Sequence, residues 1–101
     1  MNVTYILECG DGSYYTGWTN DIEKRLAAHR NGEGAKYTRG RGPLRLIYLE
    51  VFASKEEAMQ WEAFIKRLSR EAKRALIEES DWQKRLAEWG LRDLPIEDPG
   101  E

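Results

Sequence analysis

Val3-Thr4-Tyr5-Ile6-Leu7-Glu8-Cys9-Gly10-Asp11-Gly12-Ser13-Tyr14-Tyr15-Thr16-Gly17-Trp18 is the stretch that decides the fold. Residues 3–9 are apolar and β-prone, and residues 14–18 form a second β-prone run. Gly10-Asp11-Gly12-Ser13 between them is a strong hairpin signal. Loop parity then decides which tyrosines can share a face. A two-residue Asp11-Gly12 turn would pair Cys9 with Tyr14 and send Tyr5 and Tyr15 to opposite faces. An odd loop, such as Asp11-Gly12-Ser13 with a bulge, pairs Cys9 with Tyr15. It puts Tyr5, Leu7, Tyr15 and Gly17 on one face, and it is the arrangement expected here.

Working outward, Asn20 with Glu23 three residues on forms a capping box. That helix should run to about Asn31, where Gly32 and Gly34 stop it. Residues 32–43 are a loop rich in glycine and basic residues, ended by Pro43. Residues 44–52 predict a third strand, with Leu46 and Tyr48 on one face and Ile47, Leu49 and Val51 on the other. A strand apolar on both faces should be covered on both sides. Ser54 and Glu57 make a second capping box, opening a helix to about Leu68 with Ala58, Trp61, Ile65 and Leu68 at helical spacing. Ser69 caps a third helix over 70–78. Ser80 with Gln83 starts a fourth over about 80–89, carrying Trp82, Leu86 and Trp89 at helical spacing. Packing of that helix onto the core is the favoured reading; a dimer contact or a cover over the basic surface are the alternatives. The order is ββαβααα, an α/β chain with one domain over residues 1–90 and a loose acidic tail over 91–101.

Composition bounds the function. The chain has 101 residues, 41% hydrophobic and 34% charged, enough for one core with a solvated surface. No apolar run approaches the roughly 20 residues of a membrane span. No basic and apolar leader precedes residue 5, and the lone Cys9 cannot form an internal disulfide. A cytoplasmic setting is therefore expected. One histidine and one cysteine exclude most zinc sites, so any metal would be a hard cation held by oxygen. The net charge of −2 hides an asymmetry. Residues 1–76 hold 13 basic and 10 acidic side chains, a balance of +3; residues 77–101 hold 3 and 8, a balance of −5. Residues 30–45 are the most basic part, with Arg30, Lys36, Arg39, Arg41 and Arg45 against Glu33 alone.

Several polar residues carry candidate chemistry. Glu62 lies on or beside the apolar stripe of its helix. It is either the partner of Lys66 at i+4 or a ligand for one Mg²⁺ or Mn²⁺ ion. Arg25 and His29 share one helix face at i and i+4. A guanidinium can fork onto phosphate, and an imidazole can move a proton near neutral pH; a plain solvated face is the alternative. Tyr5 and Tyr15 are either proton-handling phenols or ordinary sheet aromatics. Lys36, Tyr37, Arg39 and Arg41 combine cations with a stackable ring in a glycine-rich loop, parts of a nucleic-acid surface or of a bland solvated loop.

The ordered set resembles the GIY-YIG nucleases. Val3-Thr4-Tyr5 stands at the first motif, and Tyr15-Thr16-Gly17 at the second. Arg25, with His29 one turn on, and Glu62 stand at the expected helix positions. Asp11-Gly12-Ser13, the run 34–40 and the run 65–70 resemble the small stand-alone bacterial members. The likeness spans about residues 3–78. It implies a small three-stranded antiparallel sheet flanked by helices, an α+β fold. It also implies a metal-dependent endonuclease that hydrolyses DNA phosphodiester bonds, in repair or processing. In that scheme Glu62 binds the one metal ion, and Arg25 stabilises phosphate charge. Tyr5 and Tyr15 position or deprotonate the attacking water, with His29 as proton partner. Lys36, Tyr37, Arg39, Arg41 and Lys66 would contact DNA, and Gly17 would be structural. Small size suggests a protein partner that supplies specificity. The alternative is a non-catalytic nucleic-acid-binding module on the same fold. It is motivated by the Asn that many members carry after the metal-binding Glu; here asparagine occurs only at Asn2, Asn20 and Asn31. A protein-interaction domain is a third reading, drawn from the net negative charge and from Trp82 and Trp89.

Overall fold

The computed structural model describes residues 1–97. Its elements are β1 (Asn2–Glu8), β2 (Tyr14–Thr19), α1 (Ile22–Arg30), a 3-10 turn (Lys36–Thr38), β3 (Arg45–Phe52), α2 (Lys55–Lys66), α3 (Arg70–Glu79) and α4 (Trp82–Arg85). The three strands form one antiparallel sheet in the order β2-β1-β3. The fold is α+β, and the central strand β1 is buried from Val3 through Leu7.

The hairpin has the odd loop expected, but with a different register. Tyr15 pairs with Leu7, not with Cys9, and Tyr5 pairs with Gly17. The three-residue loop is Gly10-Asp11-Gly12, closed by Gly12 N–H to Cys9 O and Cys9 N–H to Ser13 O, both 2.8 Å. Gly12 takes the left-handed conformation (φ 85°) that a three-residue hairpin loop requires. Because the register moved by two residues, the face assignment is unchanged. Tyr5, Leu7, Tyr15 and Gly17 share one face.

β3 departs from strict alternation. Ile6 pairs with Tyr48 but Leu7 pairs with Leu46, so Ile47 is an extra residue at a bulge. Leu46 therefore shares the face of Leu7 and Leu49, not that of Tyr48 as expected from alternation. Both faces are covered. The Tyr5 face meets α1, where Tyr5 bonds His29. On the other face Thr4 Oγ1 donates to Ala58 O at 2.7 Å, drawing α2 onto the sheet. Trp61 Nε1 there donates to Tyr48 Oη at 2.9 Å.

The helix ends follow side-chain chemistry, with one change of cap. Asp21, not Asn20, caps α1, its carboxylate accepting from Lys24 N–H at 3.1 Å. Gly32 (φ 77°) ends it, with Gly32 N–H on His29 O and Glu33 N–H on Ala28 O. Ser54 and Glu57 form the expected reciprocal box on α2. The fourth helix is shorter than expected. Regular α-helix covers only Trp82–Arg85, and residues 86–90 continue as turns. The same kind of glycine end closes them, with Leu91 N–H on Leu86 O and Gly90 N–H on Ala87 O. Trp82 and Leu86 are nevertheless buried in the core.

Residues 91–97 are not the loose tail expected; residues 98–101 of that tail lie outside the described residues. Leu94 is buried, Ile96 packs on the core, and Leu46 N–H donates to Ile96 O at 2.9 Å. Arg30 reaches across from α1 to Pro95 O (2.7 Å), Ile96 O (2.8 Å) and Leu44 O (3.2 Å). A short apolar segment can be held by backbone bonding that no periodicity announces.

Candidate active site

The candidate site is built on the Tyr5 face. Tyr5 is fully buried, and its hydroxyl lies 2.8 Å from His29 Nε2. His29 Nδ1 lies 3.0 Å from Thr38 Oγ1, and the Thr38 hydroxyl donates to Ala35 O at 3.0 Å. Each ring nitrogen thus has one partner, and which of them donates depends on the tautomer of the imidazole.

Burial sets the charge states. Burial first, then the charges of Arg25 and Arg30, lowers His29 to about 4, so the ring is neutral at pH 7. Burial raises Tyr5 to about 12, against the opposing pull of the Arg25 guanidinium. The Tyr15 and Glu62 charges add to the rise. Arg25 thus lies against the phenolic oxygens of both Tyr5 and Tyr15, and those oxygens raise its pKa in turn.

Tyr15 sits edge-on to His29, with ring centroids 5.3 Å apart, and stacks on Tyr37 at 6.1 Å with 27° between planes. Tyr37 is 42% exposed, so its ring reaches the surface beside the buried pair. Gly17 is required by these rings. A Cβ there would stand 2.7 Å from Tyr5 Oη and 3.0 Å from Tyr15 Cε2. Gly34 plays the same part for His29, where a Cβ would fall 2.4 Å from Nδ1.

The basic loop is divided in its duties. Arg41 pairs with Asp11 at 2.5 Å and lies 4.2 Å over the Tyr37 ring. Gly10 N–H donates to Arg41 O, so the hairpin loop and the basic loop brace each other. Arg30 holds the C-terminal segment. Arg45 pairs with Glu8 and Glu97, each at 3.7 Å. Lys36 and Arg39 make no ion pair among the described residues, and both are exposed.

Glu62 lies on α2 with its side chain 19% exposed, and Lys66 Nζ stands 3.3 Å from Oε2. The ion pair of the first reading is thus present, and the Glu62 charge bears on Tyr5. Among the described residues no three His, Cys, Asp or Glu side chains converge as a metal cage. A 570 Å³ cleft lined by Tyr14, Arg45, Ile77, Trp82 and Ile96 lies elsewhere and includes none of Tyr5, Arg25, His29 or Glu62.

The sequence alone named Tyr5, Tyr15, Arg25, His29 and Glu62, and the fold brings the first four together. The Glu62 charge is near enough to bear on Tyr5. Thr38 and Gly34 were missed as contributors. Both lie within the basic loop that follows the helix carrying His29, and neither residue type announces an imidazole partner in the sequence.

Comparison with known proteins agrees with this architecture. The description of a GIY-YIG catalytic domain matches residues 1–75. The chain is 60% identical over 77 residues to a UPF0213 protein of Clostridium perfringens, covering 76% of this chain and 83% of that protein. It is 59% identical over 73 residues to one of Halalkalibacterium halodurans, covering 72% and 78%. The solution NMR structure of a UPF0213 protein from Bacillus halodurans superposes with a TM-score of 0.52 at 57% identity, over 77% of this chain and 84% of that one. A solution NMR structure from E. faecalis gives 0.52 at 40% identity, over 74% and 81%. Val3 and Thr16, which stand where the motif name has Gly and Ile, are both buried strand residues. With the family description matched over residues 1–75 and the paired motifs on one sheet face, the chain belongs to the GIY-YIG family.

Proposed function

We propose that the protein is a metal-dependent nuclease that hydrolyses phosphodiester bonds of DNA, in repair or processing. The observation that carries the reading is the buried Tyr5–His29 hydrogen bond beside Arg25. Two proton-carrying side chains within hydrogen-bond reach of each other, beside a guanidinium suited to phosphate, support a proton relay at this place.

Arg25 would take a non-bridging phosphate oxygen and hold the charge that develops there. An attacking water gives its proton to the Tyr5 oxygen while Tyr5 gives its own to His29 Nε2. The water oxygen bonds to phosphorus, the bond to the leaving oxygen breaks, and that oxygen takes a proton from solvent. Passing the proton through Tyr5 replaces a free phenolate, which with Tyr5 near 12 would cost about 7 kcal/mol at pH 7. In its place stands a transient imidazolium, which with His29 near 4 costs about 4 kcal/mol and then returns its proton to solvent. Tyr15 orients the water from the same face, and Tyr37, Lys36, Arg39 and Arg41 would line the strand's approach. Glu62 would hold one Mg²⁺ or Mn²⁺. A single half-buried carboxylate suits a hard cation that keeps waters and phosphate as its other ligands, and Lys66 would swing off Oε2 toward the backbone phosphates. Such an ion, when bound, polarises the phosphate and stabilises the leaving oxygen.

A second reading, binding without cleavage, draws on the Lys66–Glu62 pair, which neutralises the one metal-binding carboxylate. Labelled single-stranded, duplex and branched DNA with Mg²⁺ or Mn²⁺ separates the two. Wild type should cut at least one substrate, while Glu62→Ala and Arg25→Ala should lose about 100-fold or more in rate. Binding by wild type with no cleavage under either metal supports the second reading instead.

A further inference from the structure

The His29 ring is held by Tyr5 and Tyr15 of the two motifs and, on its Nδ1 side, by Thr38 and Gly34 of the basic loop. Thr38 is 2% exposed, as is His29 itself. Gly34 backs the ring at Nδ1, and Tyr15 meets its face edge-on. Rotating the ring by half a turn would put carbon atoms where Thr38 and Tyr5 need nitrogens, losing both hydrogen bonds. The ring orientation is thus fixed, and its proton remains to be assigned. Thr38 Oγ1 already donates to Ala35 O, within the 3-10 turn that Thr38 N–H also closes onto Ala35 O at 3.1 Å. What the hydroxyl presents to His29 is a lone pair.

We propose that Thr38 is a positioning residue that fixes the proton of His29 on Nδ1, leaving Nε2 as the acceptor for Tyr5. The assignment rests on the nuclease reading for its consequence, but not for its geometry. The same turn carries Lys36 and Tyr37, and Arg39 follows it directly. Seating the basic loop and setting the imidazole are therefore one event. A loop pulled away takes the Thr38 acceptor with it, and Nε2, the nitrogen protonated by preference in free histidine, regains its hydrogen. The ring would then donate to Tyr5 instead of accepting from it.

The chain's single histidine makes the test direct. Imidazole ¹⁵N shifts of the full chain at pH 7 should show a protonated Nδ1 and an unprotonated Nε2. Thr38→Val, nearly isosteric but with no acceptor, should move the population toward the Nε2–H form. Thr38→Ser should restore the wild-type pattern, which also answers whether the loop still folds. In cleavage assays Thr38→Val should lower kcat about tenfold with KM little changed. A wild-type ring protonated at Nε2, or a Thr38→Val ring still protonated at Nδ1, overturns the assignment. So does a rise in KM with kcat held, which would mark Thr38 as a loop anchor only. If wild type cuts no DNA, the nuclease reading fails while the ¹⁵N shifts still decide this one.

Discussion

Acid should destabilise this protein through a single imidazole. His29 titrates near 6.5 in an unfolded chain, while burial and the Arg25 and Arg30 charges hold it near 4 in the native state. As pH falls below 6.5, the unfolded chain takes up a proton that the folded protein refuses. The contribution is fully present above 6.5, declines through the window from 6.5 to about 4, and is flat below it. At 1.36 kcal/mol per pH unit the loss between pH 7 and pH 4 is about 3 kcal/mol. Carboxylates titrate in the same window, so the quantity to measure is a difference. Glu50, raised by burial, works with the opposite sign and cancels between variants. His29→Gln keeps an amide donor and acceptor but no titrating group. Urea unfolding of both proteins at pH 7 and pH 4 should show wild type losing about 3 kcal/mol more than the variant. Equal losses would mean that His29 is charged or solvated in the native state. The neutral acceptor on which the proton relay depends would then be refuted.

Two further expectations follow from burial and anchoring. Tyr5 and Tyr48, two of the five tyrosines, should ionise only near pH 12, so phenolate absorbance should show a late step that Tyr48→Phe halves, with native stability falling as pH rises from 10 to about 12. Arg30→Met keeps the stem but removes the bonds to Leu44, Pro95 and Ile96; it should cost about 3 kcal/mol in denaturant unfolding and speed proteolysis near residues 91–97, whereas a loss under about 0.5 kcal/mol would leave that segment held by Leu94 and Ile96 alone.

The legible parts of the chain were those with a local signal. The hairpin, the second capping box and the glycine ends are written in short-range chemistry, and the elements occur in the order read. The parity of the hairpin loop was readable, but its absolute register was not. Both registers bury the same residues, and only loop closure at Gly12 chooses between them. The bulge at Ile47 was hidden because every neighbour is apolar, so alternation carries no contrast there. Arg30 resembled part of a basic surface, although its guanidinium spans from α1 to the C-terminal segment. Nothing in residues 91–97 has a period, and their attachment is made by backbone atoms. At the site, Tyr5, Tyr15, Arg25 and His29 were found through pattern. Thr38 was not, because a hydroxyl in a loop gains meaning only when its partner is known.

The three-residue loop at Gly10-Asp11-Gly12 also constrains how this hairpin can change in length. Adding or deleting one residue there, without a compensating bulge, turns every side chain of β2 over. With the turn kept at three residues, Tyr15 would leave the Tyr5 face, and Thr16 would take its place on deletion or Tyr14 on addition. Two residues at a time restore the alignment. The loop therefore behaves as a parity check on the tyrosine pair, and viable length variants at this turn should differ from this one by even numbers.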